Sequence, residues 1–550
     1  MKMSSLTLAL AAALGCGGRA ATWSDPVNGS QAFGLTSAVV LVDPPANRVV
    51  ALSVDGPATG TGPGTLTRTL LPTGHDVRAT VVGPKGDKLF VLSGGHRGGL
   101  GDTQPDEAPR LTIIDGTTTP ATFRDIPLDV LSDPLDGLAI DPTEKWAVVY
   151  AASGADAAFV TNPNELVVVD LSDTTPKPPH LVVLHSFGGH PEKLIFAPAL
   201  SLPGGVGHLL VVQSDQDLSL LSLDDPTKPD ITVRLADATA VTRPHPAEVV
   251  FDDGDPTKTN DARIGIRFDA STSVMMLQLE PDAGPNGFTP AINLTDVGGV
   301  PSALAFVNTD GGLRLSALIP ARSSAVLVDP ATTTISEVSL PVGYQRLSLI
   351  TTPADATAGA APASPDVALL WNGTSAVAGV AFWELSSAAG LPYRSVETVG
   401  INGVVNAVDD VPGKNAALKV LSTAPSTPGG GAGGEFFVLD LGARTATPLL
   451  TASGNATLSV SPTGDRVWAF QSGGLELAAT DLPAGTVHSL QVDSPASALF
   501  EIARADGGHA LVVLHQSGGL GATIFDADDP KEANRRIYGA LLTEGSYDHQ

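Results

Sequence analysis

Short runs in which apolar and polar residues alternate recur along most of the chain, separated by turns rich in Asp, Pro, Gly and Thr. Leu111-Thr112-Ile113-Ile114-Asp115 leads to Ala121-Thr122-Phe123-Arg124, and Leu166-Val167-Val168-Val169-Asp170 leads to Leu181-Val182-Val183-Leu184. The same half-unit returns at 218–225 followed by Ile231-Thr232-Val233, and again at 325–329, 436–440 and 522–526. Side chains on a strand point to alternate faces, so this period with such turns predicts antiparallel strands joined by hairpins. A helical period never persists for more than a turn or two. Between these runs lies a second half-unit, at 81–92, 138–149 and, most clearly, 458–469 (LSVSPTGDRVWA). There a strand ends in Pro-x-Gly-Asp or a variant and a second strand follows. Proline presets φ for the turn and glycine supplies a positive φ.

Together the halves make a unit of four strands, A to D, with a period of about 50 residues, which suits propeller blades. About nine complete copies run from 77 to 542, and a partial copy covers 37–73. Within the partial copy, 37–43 matches the C–D half at 324–329 as well as it matches any A–B half. Four-stranded sheets repeated around an axis form a β-propeller. The expected fold is therefore all-β, a single large β-propeller of about eight to ten four-stranded blades. Two tandem propellers are the alternative; the lack of a long Pro/Ser linker favours one. The strand–Pro-x-Gly-Asp–strand units resemble the YVTN and lactonase-like (WD40-like) propellers over most of 37–542. Closure is expected through strands of the N-terminal partial copy pairing with the last unit near 524–542, which would bury open edges.

The N-terminus sets an expected address. Met1-Lys2-Met3 is a short basic start, and 6–14 (LTLALAAAL) is apolar. That run falls short of the about 20 residues of a membrane-spanning helix but has the shape of a secretory signal. Ala13-Leu14-Gly15-Cys16, followed by Gly17-Gly18, resembles the lipobox of bacterial lipoproteins, with Ala13 where Leu is usual. The resemblance implies cleavage before Cys16, diacylation of its thiol and acylation of the new amine. The alternative is an ordinary secretory signal cut after Ala20 or Ala21. Cys16 is the only cysteine of the chain and stands where the lipobox needs one. Several acyl chains anchor stably where one is marginal. The expected division is a signal peptide at 1–15, a lipidated tether at 16–35 and the propeller at 36–550. The absence of Asp after Cys16 favours outer-membrane sorting, as the resemblance implies, with the head facing the periplasm or displayed on the cell surface.

Composition narrows the partners. Against 58 Asp+Glu there are 31 Lys+Arg, a net charge of −27. That argues against nucleic acid, whose phosphates need Lys/Arg surfaces, and against docking on anionic lipid by charge. It would attract basic partner segments or divalent ions. One cysteine rules out a disulfide framework or a cysteine zinc cluster.

In a propeller the B–C and D–A loops share one face and the A–B loops lie on the other. The segments 94–109 and 153–164 lengthen two successive B–C loops, and 423–434 a third. On the other face 198–207, 252–261 and 353–365 lengthen A–B loops. Long loops on a rigid scaffold are where recognition resides. The candidate binding residues are His96, Arg97, Asp102, Asp106, Glu107 and Asp156, on a rim that would take an unidentified envelope protein. Tolerated insertion is the alternative, because loop entropy grows slowly with length.

The search for chemistry nominates no catalytic residue, metal or cofactor. Gly-x-Ser-x-Gly, phosphate-loop and His-Glu-x-x-His patterns are missing. His180, His185 and His190 are spaced to fall on opposite strand faces. Asp252-Asp253-Gly254-Asp255, with Asn260 and Asp261, lacks the full calcium ladder and its closing Glu. Trp146 and Trp468 fall at B-strand positions where the other units lack Trp. They read as blade-packing aromatics rather than the repeated docking motif of quinone-dependent dehydrogenases. The expected role is a noncatalytic scaffold or binding module at the cell envelope of a Gram-negative-type bacterium. A periplasmic propeller enzyme, either a lactonase-like hydrolase or a quinone-dependent dehydrogenase, is the alternative.

Overall fold

The nearly continuous apolar runs form the two middle strands of antiparallel sheets, where both faces are covered and alternation fades. A computed structural model describes residues 31–549, apart from 58–61, 97–105, 132–133, 153–159, 173–176, 187–189, 204, 215–216, 236–244, 255–260, 351–365, 375–378, 389–390, 393–394, 425–434, 452–455, 472, 516–520, 532–533, 539–540 and 542–547. In the sheet at 77–127, strands Val77–Val82, Lys88–Ser93, Arg110–Asp115 and Thr122–Pro127 pair in sequence order. Leu89 faces Ile114 and Leu92 faces Leu111 across the two central strands. All four of these residues are fully buried. The outer strand, by contrast, alternates exposed and half-buried residues.

Ten such sheets follow one another, at 32–72, 77–127, 137–183, 193–234, 246–296, 303–339, 346–399, 404–451, 456–491 and 496–549, called here blades 1 to 10. The fold is a single β-propeller of ten four-stranded blades, the tenth extended by a fifth strand, Asp548–His549, on its outer edge. Blade 4 also carries a small hairpin, Leu200–Leu202 with Gly205–Gly207, in its A–B connection. The A–B turns obey the expected chemistry. The third turn position has positive φ in all three clear copies: Gly86 at 72°, Gly464 at 71° and, without glycine, Glu144 at 58°.

The chain divides into two compact units. One holds blades 1, 2 and 10 with most of blade 9. In it, apolar clusters join blade 9 to 10, blade 10 to 1 and blade 1 to 2. Trp468, fully buried, donates its indole N–H to Glu501 at 2.5 Å under the Arg466 guanidinium, 5.4 Å from the ring. The other unit holds blades 3 to 8, joined in order by clusters of the same kind.

Two details correct the sequence reading. The partial copy is a complete blade, because Ala32–Gly34 supplies its A strand; that strand precedes the boundary expected at residue 36. The segment 37–43 accordingly contributes a B strand, Val39–Asp43, not a C strand. Its likeness to 324–329 is one of strand residues alone, since Val39–Asp43 leads into the short 3-10 turn Pro44–Ala46 whereas Ser324–Val328 follows the matching turn Pro320–Arg322; both turns close on a residue with φ of 48°. The expected strand exchange between chain ends is also not found among the described residues. Blade 1 completes its own sheet and meets blade 10 by packing and by hydrogen bonds from Ala503 N–H to the Thr36 carbonyl (2.7 Å) and from Leu66 N–H to the Tyr538 hydroxyl (3.0 Å).

Candidate functional site

The predicted rim is partly described. Cys16, Arg97, Asp102 and Asp156 lie outside the described residues, as do 353–365, 425–434 and most of 153–164. His96, Asp106 and Glu107 are described, and the structure brings two of them together. At the root of the B–C connection of blade 2, His96 and Glu107 form an isolated antiparallel bridge, with N–H to carbonyl distances of 2.9 and 2.7 Å. Gly95 makes this possible. It has φ of 76°, and a Cβ there would lie 2.1 Å from the Glu107 carbonyl oxygen. Asp106 is exposed beside the bridge.

The D–A turn into blade 2 completes the cluster. Gly94 and Gly95 donate their N–H groups to the carbonyls of Asp76 (2.8 Å) and His75 (3.0 Å). The His75 imidazole Nδ1 pairs with Glu107 Oε2, and Arg110 donates to Glu107 Oε1. Arg110 reaches on to Asp125 at 3.0 Å, and Asp125 accepts from Thr112 at 2.6 Å. The rings of His75 and His96 sit 5.8 Å apart, tilted by 50°. Glu107 thus holds one side chain on each oxygen. Charge-assisted bonds of this type are the strong ones, although exposure discounts them. The arrangement is a clamp that fixes where residues 96 and 107 leave the sheet. Sequence reasoning found the loop but missed His75 and Arg110. The shared face of D–A and B–C loops was the available signal, since it places the turn before a blade next to that blade's own insertion.

Two cavities of the other unit are lined by described residues. One, of about 430 Å³, lies on the D–A and B–C face of blades 5 to 7 and includes Arg267, Asp269, Gln345 and Arg346 in its wall. The second, of about 330 Å³, lies on the opposite face of blades 3 and 4, with Trp146, Pro178, Pro179 and Pro226 in its wall. The ammonium groups of Lys145 and Lys177 stand 5.1 and 5.9 Å from the Trp146 ring centroid. Burial pushes the Asp224 carboxyl up, but hydrogen bonds from His208 and Lys145 outweigh it and hold the group below its ordinary value. Asp170 behaves alike: burial is outweighed by bonds from Ser172 and Lys177. The charges of this second cavity are therefore spent on one another.

The other residues weighed in the sequence go to separate structural tasks. His180 lines the second cavity, whereas His185 pairs with Asp230 at 2.6 Å. Asp252 pairs with Arg263 at 3.1 Å, and Asp253 accepts from the Ser201 hydroxyl, also at 3.1 Å. Burial raises the Asp252 carboxyl above its ordinary value despite Arg263. Trp146 and Trp468 are both buried among blade-packing residues.

Sheets of this kind define the protein as a β-propeller. No protein-family model and no curated protein matches the chain. Solved structures similar to it include the dihydro-heme d1 dehydrogenase NirN in complex with DHE, at 12% identity over 76% of this chain and 74% of that one, with a TM-score of 0.37. The Dos1 propeller is similar at 13% identity, covering 71% and 92%, with a TM-score of 0.38. Apo AztD from Citrobacter koseri is similar at 12%, covering 67% and 90%, with a TM-score of 0.30. At such identities the likeness is one of fold, and fold does not imply function.

Proposed function

We propose that this protein is a noncatalytic binding module of a bacterial envelope, held at the outer membrane by lipid on Cys16, with the blade 2 rim as its partner-contacting surface. One observation carries the reading: both ends of the 94–109 insertion are clamped by the His96–Glu107 bridge and the His75–Glu107–Arg110 network. A merely tolerated insertion needs no such root, whereas a recognition loop gains from a fixed departure point. The side chains of the cluster are bonded to each other, which suits positioning better than proton transfer.

Deleting 97–105, which leaves the bridge residues in the chain, should remove the rim's partner while preserving the β spectrum. In-cell crosslinking with mass spectrometry, compared between parent and deletion, checks this; an unchanged set of crosslinked proteins would end the rim assignment. Anchoring has its own test. Cys16→Ser should shift the protein from the membrane to the soluble fraction, because without acyl chains no buried methylenes hold it there. Continued sedimentation with membranes at the parent level would overturn the lipoprotein reading.

A further inference from the structure

The cavity on blades 5 to 7 holds two charges of opposite sign that pair with no other described residue. Its wall comes from three successive blades. Arg267 and Asp269 stand where the B strand of blade 5 ends, Val300 to Ser302 in the turn into blade 6, Pro320 and Ala321 in the next B–C turn, and Gln345 and Arg346 at the entry to blade 7. Arg267 is a structural fixture. It donates to Glu248 at 2.8 Å and to the Pro301 carbonyl at 3.4 Å, and the same Glu248 oxygen accepts the Leu304 N–H at 3.0 Å. This frame ties blade 5 to the turn into blade 6 and sets one wall of the cavity in place.

Arg346 and Asp269 differ from it. Both line the cavity and both are exposed. Among the described residues neither side chain has a hydrogen-bond or ion-pair partner, and they do not pair with each other. Elsewhere in this acidic chain arginines are engaged: Arg263, Arg267, Arg314, Arg322 and Arg444 in the same unit all hold carboxylates. A guanidinium left open here is therefore notable on charge grounds alone. The rest of the wall is mixed: Val300, Pro301, Pro320 and Ala321 supply an apolar part, and Ser302, Gln345 and Arg267 a polar one. The volume, about 430 Å³, falls within the range of small-molecule sites and is too small for a folded partner.

We propose that this cavity binds a free α-amino acid, with its carboxylate on Arg346, its ammonium on Asp269 and its side chain against the proline-lined wall. The guanidinium fork matches a carboxylate bidentately, and an unpaired carboxylate is the complement of an ammonium group. A simple anion would use Arg346 and leave Asp269 repelling it; a simple cation would meet the reverse penalty. A ligand carrying both charges engages both walls at once. This inference stands apart from the rim of blade 2 and does not depend on it.

Isothermal titration calorimetry of the full chain against each of the twenty free amino acids tests it. At least one should bind, with preference for an aliphatic side chain. For that amino acid, Arg346→Ala and Asp269→Asn should each weaken binding by tenfold or more. Its N-acetyl derivative and its α-amide, each lacking one charge, should weaken by as much. Both substitutions are at exposed positions, and circular dichroism of each variant confirms that the blades persist. Failure of all twenty to bind at millimolar concentration would overturn the proposal. So would affinity indifferent to both substitutions, or an N-acetyl derivative that binds as well as the parent amino acid, which would mark a plain anion site.

Discussion

Arg504→Ala should lower stability by about 3–5 kcal/mol, among the largest losses available to a single substitution in this chain. The side chain is 7% exposed and lies where blade 10 meets blade 1. It reaches Asp506 at 3.1 Å, Asp526 at 3.4 Å and Asp528 at 3.6 Å. Its remaining direction is taken by the carbonyl of Gly62 in blade 1, at 2.9 Å. Asp526 is itself 9% exposed, so removing the guanidinium leaves a buried carboxylate with no ion-pair partner among the described residues and only the Asp528 N–H, at 3.1 Å, still donating to it. Breaking one side of a buried pair is the costly case, because the stranded charge has lost both water and partner. Asp506→Ala is the control. That carboxylate is 39% exposed and its loss should cost no more than about 1 kcal/mol. Urea unfolding of the two variants against the parent checks the contrast; midpoints lowered equally would show that burial of the cluster contributes nothing.

Gly464→Ala should cost about 3–5 kcal/mol, while Gly86→Ala, at the same turn position of another blade, should cost about 1–2 kcal/mol. The backbone conformations match, with φ of 71° and 72°. The surroundings do not. A Cβ on Gly464 would lie 1.8 Å from the carbonyl oxygen of Pro412, whereas a Cβ on Gly86 would meet nothing within 4 Å. The turn at 464 is also held to blade 8 by Asn415, whose amide donates to the Gly464 carbonyl at 2.8 Å. Left-handed strain is common to both variants, so the difference in their thermal midpoints isolates the overpacking against Pro412. Equal shifts would mean that the 412–415 segment moves aside freely.

These two turns also show how far the sequence could be read. Proline followed by a position needing positive φ is local chemistry, and it marked the A–B turns even where Glu144 replaced glycine. The central strands were equally plain, since burial on both faces makes them apolar throughout, as in Leu89-Phe90-Val91-Leu92. Ala32–Gly34 escaped because three residues ending in glycine carry no alternation; its place is decided by pairing with Val39–Leu41. The rim was half legible. An insertion at 94–109 is visible as a break in period, but of the partners of Glu107 one lies 32 residues before it, at His75 on the far side of the insertion, and the other three residues after it, at Arg110. The cavity of blades 5 to 7 was not legible at all. Its open charges, Asp269 and Arg346, are ordinary surface residues until three turns are folded side by side.

Every sheet here is assembled from one uninterrupted stretch of chain, the first and the last included. A blade is consequently a module that a single tandem duplication or deletion of the gene segment can add or remove without splitting any hydrogen-bonded ladder. Propellers that borrow a strand across their ends lack this freedom, because their junction is written in two distant places. Such an architecture allows a new binding loop to be gained by copying a whole blade rather than by rebuilding one.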